Sequence, residues 1–328
     1  MTNIGFMLLA AVGLVISFFL LVKGADYFVD GCVSIAKLLR VPNLIIGLTI
    51  VAMGTSAPEA AVSISGAITD PSNAGITVGN IFGSNILNIL IILGLSAVIV
   101  PISVDRSLLK KDFPLLILSA VITPALFLLF DMKATRLAGV IIMVIFITFM
   151  VWTVRDALVS RKNSLNAPSE DVPDEKPMSV PKSIIYAVAG LAVVIGGGQL
   201  AVHCAKYIVH GIGISEGLIG LTIVSLGTSL PELITSVVAA RKGNSDLALG
   251  NIVGSNLFNV LMVLSLSMMI APFSVTMENI IDGIVVLGAS IVCYISAAGK
   301  KIGRGWGILY LLLYAVYLTY IIWRDLAV

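Results

Sequence analysis

Residues 46–59 read I-G-L-T-I-V-A-M-G-T-S-A-P-E, and residues 219–232 read I-G-L-T-I-V-S-L-G-T-S-L-P-E. Each copy is followed by a second related stretch, G-N-I-F-G-S-N-I-L-N at Gly79–Asn88 and G-N-I-V-G-S-N-L-F-N at Gly250–Asn259. Both copies run from apolar residues into a glycine, two hydroxyls, a proline and a glutamate. A carboxylate inside a membrane segment is costly and marks a functional site by default. Two of them in matching frames, each beside helix-weakening residues, point to one paired ion site built from an internal repeat.

Composition agrees with a bilayer setting. The chain has 328 residues, 58% hydrophobic and 12% charged, with a mean hydropathy of +1.07. Soluble domains carry about a quarter charged residues. The net charge of +2, without a basic cluster, offers nothing to nucleic acid. Cys32, Cys204 and Cys293 lie in apolar stretches without paired spacing and read as small buried hydrophobes. The start, M-T-N-I-G-F, lacks a basic n-region, so residues 4–22 read as a retained first span and not a cleaved signal.

Ten apolar segments approach the roughly 20 residues that a spanning helix needs. They lie near 4–36, 41–67, 75–100, 112–130, 137–154, 183–209, 214–240, 247–271, 279–298 and 305–323. Continuous apolar runs exclude a strand barrel. The expected fold is therefore an all-α integral membrane protein, with ten transmembrane helices as two inverted five-helix repeats. Residues 1–154 hold the first repeat and 183–328 the second. Between them, 155–182 is a polar linker containing Pro168, Pro173, Pro177 and Pro181. Five spans is an odd number, so the second half enters the membrane from the opposite side.

Charge gives the orientation. With the N-terminus outside and the linker cytoplasmic, the cytoplasmic loops carry Lys37, Arg40, Arg106, Lys110, Lys111, Arg155, Arg161, Lys162, Lys176, Lys182, Arg241, Lys242, Lys300, Lys301 and Arg304. The other side carries only Lys133, Arg136 and Arg324. This is the positive-inside pattern, and it predicts a multi-pass cell-membrane protein.

Within each motif, Gly54 and Pro58, and Gly227 and Pro231, should break the helix and free nearby carbonyls. Irregular backbone at that depth is tolerated where it lines a cavity. Thr55 and Glu59 are four apart, as are Thr228 and Glu232, so each pair shares a helix face. Ser56 and Ser229 add hydroxyls. Ser84 with Asn88, and Ser255 with Asn259, share faces of the third and eighth spans. All of these groups offer oxygen, and the four motif segments contain neither thiol nor imidazole. Hard oxygen sites suit Na⁺, Ca²⁺ or Mg²⁺. The glycines of G-N-x-x-G-S also suit close helix packing. Asp26 and Asp30 read as a charged helix end at the interface. Their second-half counterparts are Gln199 and His203, with His203 read as a packing histidine.

The paired G-T-S-x-P-E and G-N-x-x-G-S-N-x-x-N segments resemble the two alpha repeats of the cation/calcium exchanger superfamily, specifically its prokaryotic-type sodium/calcium exchangers. The likeness covers essentially the whole chain. It implies Ca²⁺ ligation by the carboxylates of Glu59 and Glu232 and the carbonyls of Thr55 and Thr228. It implies Na⁺ sites at Ser56, Ser229, Ser84, Ser255 and the carbonyls of Ala52 and Ser225, with Asn88 and Asn259 at the centre. Some relatives carry Asp at the Asn259 position, as potassium-dependent exchangers do, so Asn259 argues against K⁺ co-transport. The G-N-A-x-E-type repeat of proton/calcium exchangers is absent, and residues 155–182 are too few for a calcium-sensing domain.

The resemblance implies an antiporter exchanging Na⁺ for Ca²⁺ by alternating access, not an enzyme. Ca²⁺ and Na⁺ are its transported ions and the bilayer its environment. No cofactor, nucleic acid or obligatory protein partner is expected, and a monomer suffices. A proton/calcium antiporter of the same fold is the nearest rival. A cation channel, from a different class, would need a continuous pore. An intramembrane hydrolase would need a nucleophile and base in reach, and no such motif is visible.

Overall fold

In a bilayer each backbone amide must find its partner within the protein, so long apolar runs fold as helices. The computed structural model describes residues 4–69, 75–166, 177–211 and 225–326 and follows that rule. Among the described residues, 8 helices are long and apolar enough to cross a bilayer, and one bent pair raises this to 9. The expected span at 214–240 lies partly outside the described residues, as do Ile219–Val224 of the second motif and positions 167–176 of the linker.

The first half contains α1 (Ile4–Leu39), the bent pair α2 (Asn43–Thr55) and α3 (Ala57–Thr69), then α4 (Thr77–Ile99), α5 (Asp112–Leu129) and α6 (Arg136–Asn166). The second contains α7 (Val180–Gly211), the short α8 (Ser225–Thr228), α9 (Leu230–Arg241), α10 (Ser245–Ile270), α11 (Met277–Ala298) and α12 (Arg304–Leu326). Helix α6 continues past residue 155, into the stretch read as linker. Its extension carries exposed Arg155, Arg161 and Lys162, good helix formers that sustain a helix in water.

Two features go beyond uniform helix. Among the described residues four two-residue strands pair antiparallel between the halves: β1 (Ile102–Ser103) with β4 (Lys301–Ile302), and β2 (Lys133–Ala134) with β3 (Phe273–Ser274). They give partners to backbone groups where the chain leaves its helices. Among the described residues three segments are π-helical: Gly47–Val51 in α2, Asn88–Leu93 in α4 and Asn259–Leu264 in α10. The last two open on the terminal asparagine of the G-N-x-x-G-S-N-x-x-N motif, and π turns cluster at functional sites.

Glycines set how closely the helices approach. A Cβ on Gly254 would lie 2.7 Å from the Leu48 carbonyl oxygen, and one on Gly250 would lie 2.8 Å from that of Leu44. Gly47 meets Leu247 of α10 at 2.7 Å in the same sense. Helices α2 and α10 thus touch backbone to backbone, and the seam fixes Asn251, Ser255 and Asn259 relative to Thr55. Gly31 and Gly190 similarly bring α1 and α7 into backbone contact. Van der Waals packing of this kind is what joins helices in lipid. The three cysteines are free and buried within the bundle.

Candidate cation site

Each motif helix breaks at one residue, the second hydroxyl of G-T-S. Ser56 joins α2 to α3 with φ −80° and ψ 5°, and Ser229 joins α8 to α9 with φ −88° and ψ 2°. The two limbs around Ser56 meet at 49°. The proline lies in the first turn of the following helix, where its missing donor is tolerated. The break is narrower than Gly54 and Pro58 suggested. Ser56 N–H still donates to the Ala52 carbonyl at 3.0 Å, and Ala60 N–H donates to the Ser56 carbonyl at 3.0 Å. Leu233 N–H closes the same turn on Ser229, also at 3.0 Å.

These breaks aim the two serines across the molecule. Ser56 Oγ donates to Oε1 of Glu232 at 2.8 Å, and Ser229 Oγ donates to Oε1 of Glu59 at 3.1 Å. Both glutamates are 1% exposed, buried as deeply as the surrounding core. Beside them, Asn88 Nδ2 donates to Asn256 Oδ1 at 3.3 Å, and Asn259 Nδ2 donates to Asn85 Oδ1 at 3.3 Å. Asn85 Nδ2 in turn donates to the Asn256 carbonyl at 3.1 Å. Three of the four asparagines donate and so lock α4 to α10, while Asn256 only accepts and its own Nδ2 has no partner among the described residues.

Thr55 serves a different purpose. Its hydroxyl lies 3.1 Å from the Val51 carbonyl and 3.1 Å from Asn251 Oδ1, tying α2 to α10. Asn251 Nδ2 then donates to Ser236 at 2.9 Å, and the matching pair in the first half, Asn80 and Ser63, is 3.1 Å apart. The Ala52 carbonyl is engaged by Ser56 N–H. Ser225 opens α8, and its side chain is outside the description.

After these bonds, eight buried side-chain oxygens among the described residues keep no hydrogen-bond partner in the protein. Two, Ser96 Oγ and Thr235 Oγ1, have no orphaned counterpart in the other half; the remaining six, Glu59 Oε2, Glu232 Oε2, Asn88 Oδ1, Asn259 Oδ1, Ser84 Oγ and Ser255 Oγ, form three pairs, each member at the same motif position in its half. Leaving one such group unsatisfied costs about 1–3 kcal/mol. One of the three pairs is the second oxygen of each buried glutamate, and the other two come from the second repeated motif. Among the described residues no cluster of three or more His, Cys, Asp and Glu side chains exists to hold a metal. The set is two carboxylates and neutral oxygens, which suits a hard cation that must also leave.

A cavity of about 370 Å³ borders the motif prolines Pro58 and Pro231 and is lined on its other side by Gln199 and His203 of α7. His203 is exposed there, which corrects its reading as a packing histidine. It shares one helix face with Gln199, four residues earlier, and that polar face turns to the cavity. Asp26 and Asp30 are more than a solvated helix end. Lys242, just beyond α9, bonds Asp30 at 2.8 Å and approaches Asp26 at 3.3 Å.

The sodium/calcium exchanger protein family model matches residues 9–155 and 182–323, nearly the whole chain. The chain belongs to the sodium/calcium exchanger family. Among this exchanger's relatives, the protein CaxA of Alkalimonas amylolytica is 42% identical over 81% of this chain and 82% of its own. The sodium/calcium exchanger MaX1 of Methanosarcina acetivorans is 32% identical over 91% of this chain and 94% of its own. The fold superposes on the solved sodium–calcium exchanger NCX_Mj with a TM-score of 0.81 and 32% identity, covering 95% of this chain and 98% of that one.

Proposed function

We propose that this exchanger carries Na⁺ and Ca²⁺ alternately on the site between Glu59 and Glu232, moving one against the other across a cell membrane. The observation that carries this is that six of the eight orphaned oxygens fall in three matched motif pairs, one of which is the second oxygen of each buried glutamate. Ca²⁺ would lie between the two carboxylates with the Thr55 and Thr228 carbonyls. Na⁺ would use Ser56, Ser229, Ser84, Ser255 and the Ala52 and Ser225 carbonyls, with Asn88 and Asn259 facing the centre. Together the glutamates supply about −2, which one Ca²⁺ or a set of Na⁺ ions balances. Crossing with the site empty would leave both charges unpaired at membrane depth, at a cost of about several kcal/mol, and this enforces exchange.

The halves act as inverted five-span repeats, with the N-terminus outside and the linker in the cytoplasm. The pair α1 and α7 slides along the motif helices, and the cavity at Pro58 and Pro231 is the open access of this state. A monomer without cofactor suffices, and no reaction is catalysed. The test is calcium uptake into proteoliposomes under an imposed Na⁺ gradient or, separately, a pH gradient. Uptake driven by Na⁺ supports the proposal. Uptake driven by pH alone would assign proton/calcium exchange instead.

A further inference from the structure

The repeat gives the residues of the open cavity counterparts in the other half. Ile46 aligns with Ile219, and the same offset takes Val62 to Thr235, Asp26 to Gln199, Asp30 to His203 and Thr69 to Lys242. Val62, Gln199 and His203 line the cavity beside Pro58 and Pro231. Val62 is 45% exposed there. Thr235 is 0% exposed, and its hydroxyl has no hydrogen-bond partner. The same place in the repeat is open in one half and shut in the other.

On the shut side stands an ion pair. Lys242 Nζ lies 2.8 Å from Asp30 Oδ1 and 3.3 Å from Asp26 Oδ1, and it donates to the Asp26 carbonyl at 3.0 Å. The open side has threonine, glutamine and histidine at these positions and so lacks the opposite charges. The backbone under Lys242 is fixed. Gly243 N–H donates to the Ala240 carbonyl at 3.0 Å and Asn244 N–H to that of Ala239 at 2.9 Å, with Gly243 at φ +79°. This is a glycine-terminated helix end, and it holds the lysine at the end of α9, the helix that carries Glu232. The aspartates belong to α1. Gly24, Gly31, Gly190 and Gly197 bring α1 and α7 into close contact along their length, so what holds α1 holds both.

We propose that Lys242 is a positioning residue: it latches the pair α1 and α7 to α9 and keeps the route past Thr235 closed while the cavity at Pro58 and Pro231 is open. The latch rests on the sliding of α1 and α7 described above, because the ion pair crosses the interface along which they slide. It exists on one side of the repeat only, so it stabilises one of the two access states and not the other. Removing it must shift their populations in one direction. Its groups are partly exposed, and exposed pairs are weak, so the shift is about two- to fivefold.

The test uses the purified full chain in detergent and Na⁺ buffer, with Cys32, Cys204 and Cys293 replaced and one reporter, Val62→Cys or Thr235→Cys. The rate of reaction with N-ethylmaleimide reads how often each route is open. Val62→Cys should react fast and Thr235→Cys slowly. Adding Lys242→Gln or Asp30→Asn should speed Thr235→Cys by about two- to fivefold without speeding Val62→Cys. Lys242→Arg should keep the slow rate. Choline chloride, which screens the pair, should speed Thr235→Cys only where Lys242 is present. Thermal melts check each fold, and the lysine and aspartate variants test the pair from either side. Equal speeding of both reporters would mean a general loosening and overturn the latch. A Thr235→Cys rate that no Lys242 or Asp30 variant moves would overturn it too, and leave the sliding of α1 and α7 standing. No reaction of Thr235→Cys in any variant, with Val62→Cys reactive, would overturn the sliding and the latch together.

Discussion

The Ser56 hydroxyl donates to Oε1 of Glu232, 2.8 Å away, although the two residues lie in different halves of the chain. Ser229 and Glu59 repeat the arrangement at 3.1 Å. Each half thus holds the other's carboxylate, and neither half contains a complete site. The hydroxyls spend their protons on the glutamates, which leaves their oxygen lone pairs as acceptors.

Ser56→Ala and Ser229→Ala should therefore separate the two ions. Each substitution deletes a neutral oxygen and no charge. Ca²⁺ gains most from the carboxylates, whereas Na⁺, with one charge, depends more on neutral oxygens. Calcium binding in Na⁺-free buffer should change little. The Na⁺ needed to displace it should rise by about fivefold, close to 1 kcal/mol, the usual worth of one hydrogen-bonding group. A sharp fall in calcium affinity with an unmoved sodium curve, corrected for that fall, would refute this division of labour.

Asn259 gives a prediction about charge. Its Nδ2 donates to Asn85 Oδ1 at 3.3 Å. Asn259→Asp removes that donor and puts a third carboxylate beside Glu59 and Glu232. The ion-free fold should lose about 1–3 kcal/mol, and added Ca²⁺ should restore it in a thermal melt. The native chain, with its neutral amide, should transport calcium in K⁺-free medium. A strict K⁺ requirement in tracer flux would show that this residue does not govern potassium dependence.

The glycine seam gives a prediction about packing alone. Gly254→Ala would place a methyl carbon 2.7 Å from the Leu48 carbonyl oxygen and 2.8 Å from the Ala52 Cβ. Neither neighbour can yield without moving α2, so unfolding in detergent should come earlier by about 1–3 kcal/mol, the cost of overpacking. Gly288→Ala on α11 meets nothing within 4 Å. It should be neutral or stabilising by up to about 1 kcal/mol, since alanine is the better helix former. Equal effects at the two positions would mean that α2 and α10 do not touch as described.

Repetition is what made the site legible. An internal repeat writes each motif twice, which singles out Glu59, Glu232, Ser56 and Ser229 in the chain alone, and the fold bonds Ser56 to Glu232 and Ser229 to Glu59. Asn85 and Asn256 recur at matching motif positions, yet the sequence alone gives them no separate role. An amide that bridges to a neighbouring helix has no signature of its own until the register of α4 against α10 is known. The π segments were equally silent, because the apolar runs after Asn88 and Asn259 suit any helix. The clasp of Lys242 on Asp26 and Asp30 joins residues far apart in the chain. The helical extension to Asn166 was hidden by counting only the residues that fit a bilayer.

Orientation is open to direct measurement. With Cys32, Cys204 and Cys293 replaced, a single cysteine in the 155–182 linker should label only from the cytoplasmic side. One in the loop after Asp131 should label only from outside. Labelling of both from one face would contradict an odd number of spans between them.

The most direct measurement of the central claim is tracer calcium uptake by Na⁺-loaded vesicles carrying Glu59→Gln or Glu232→Gln. Each substitution keeps the shape of the side chain and removes half of the charge that balances a divalent ion. The serine bonds between the halves have an amide oxygen to accept them, so the fold should persist on size-exclusion and thermal assays. Uptake should fall to the background of empty vesicles in both variants. Near-native uptake by either one would contradict the assignment of Glu59 and Glu232 as the pair that carries the ion.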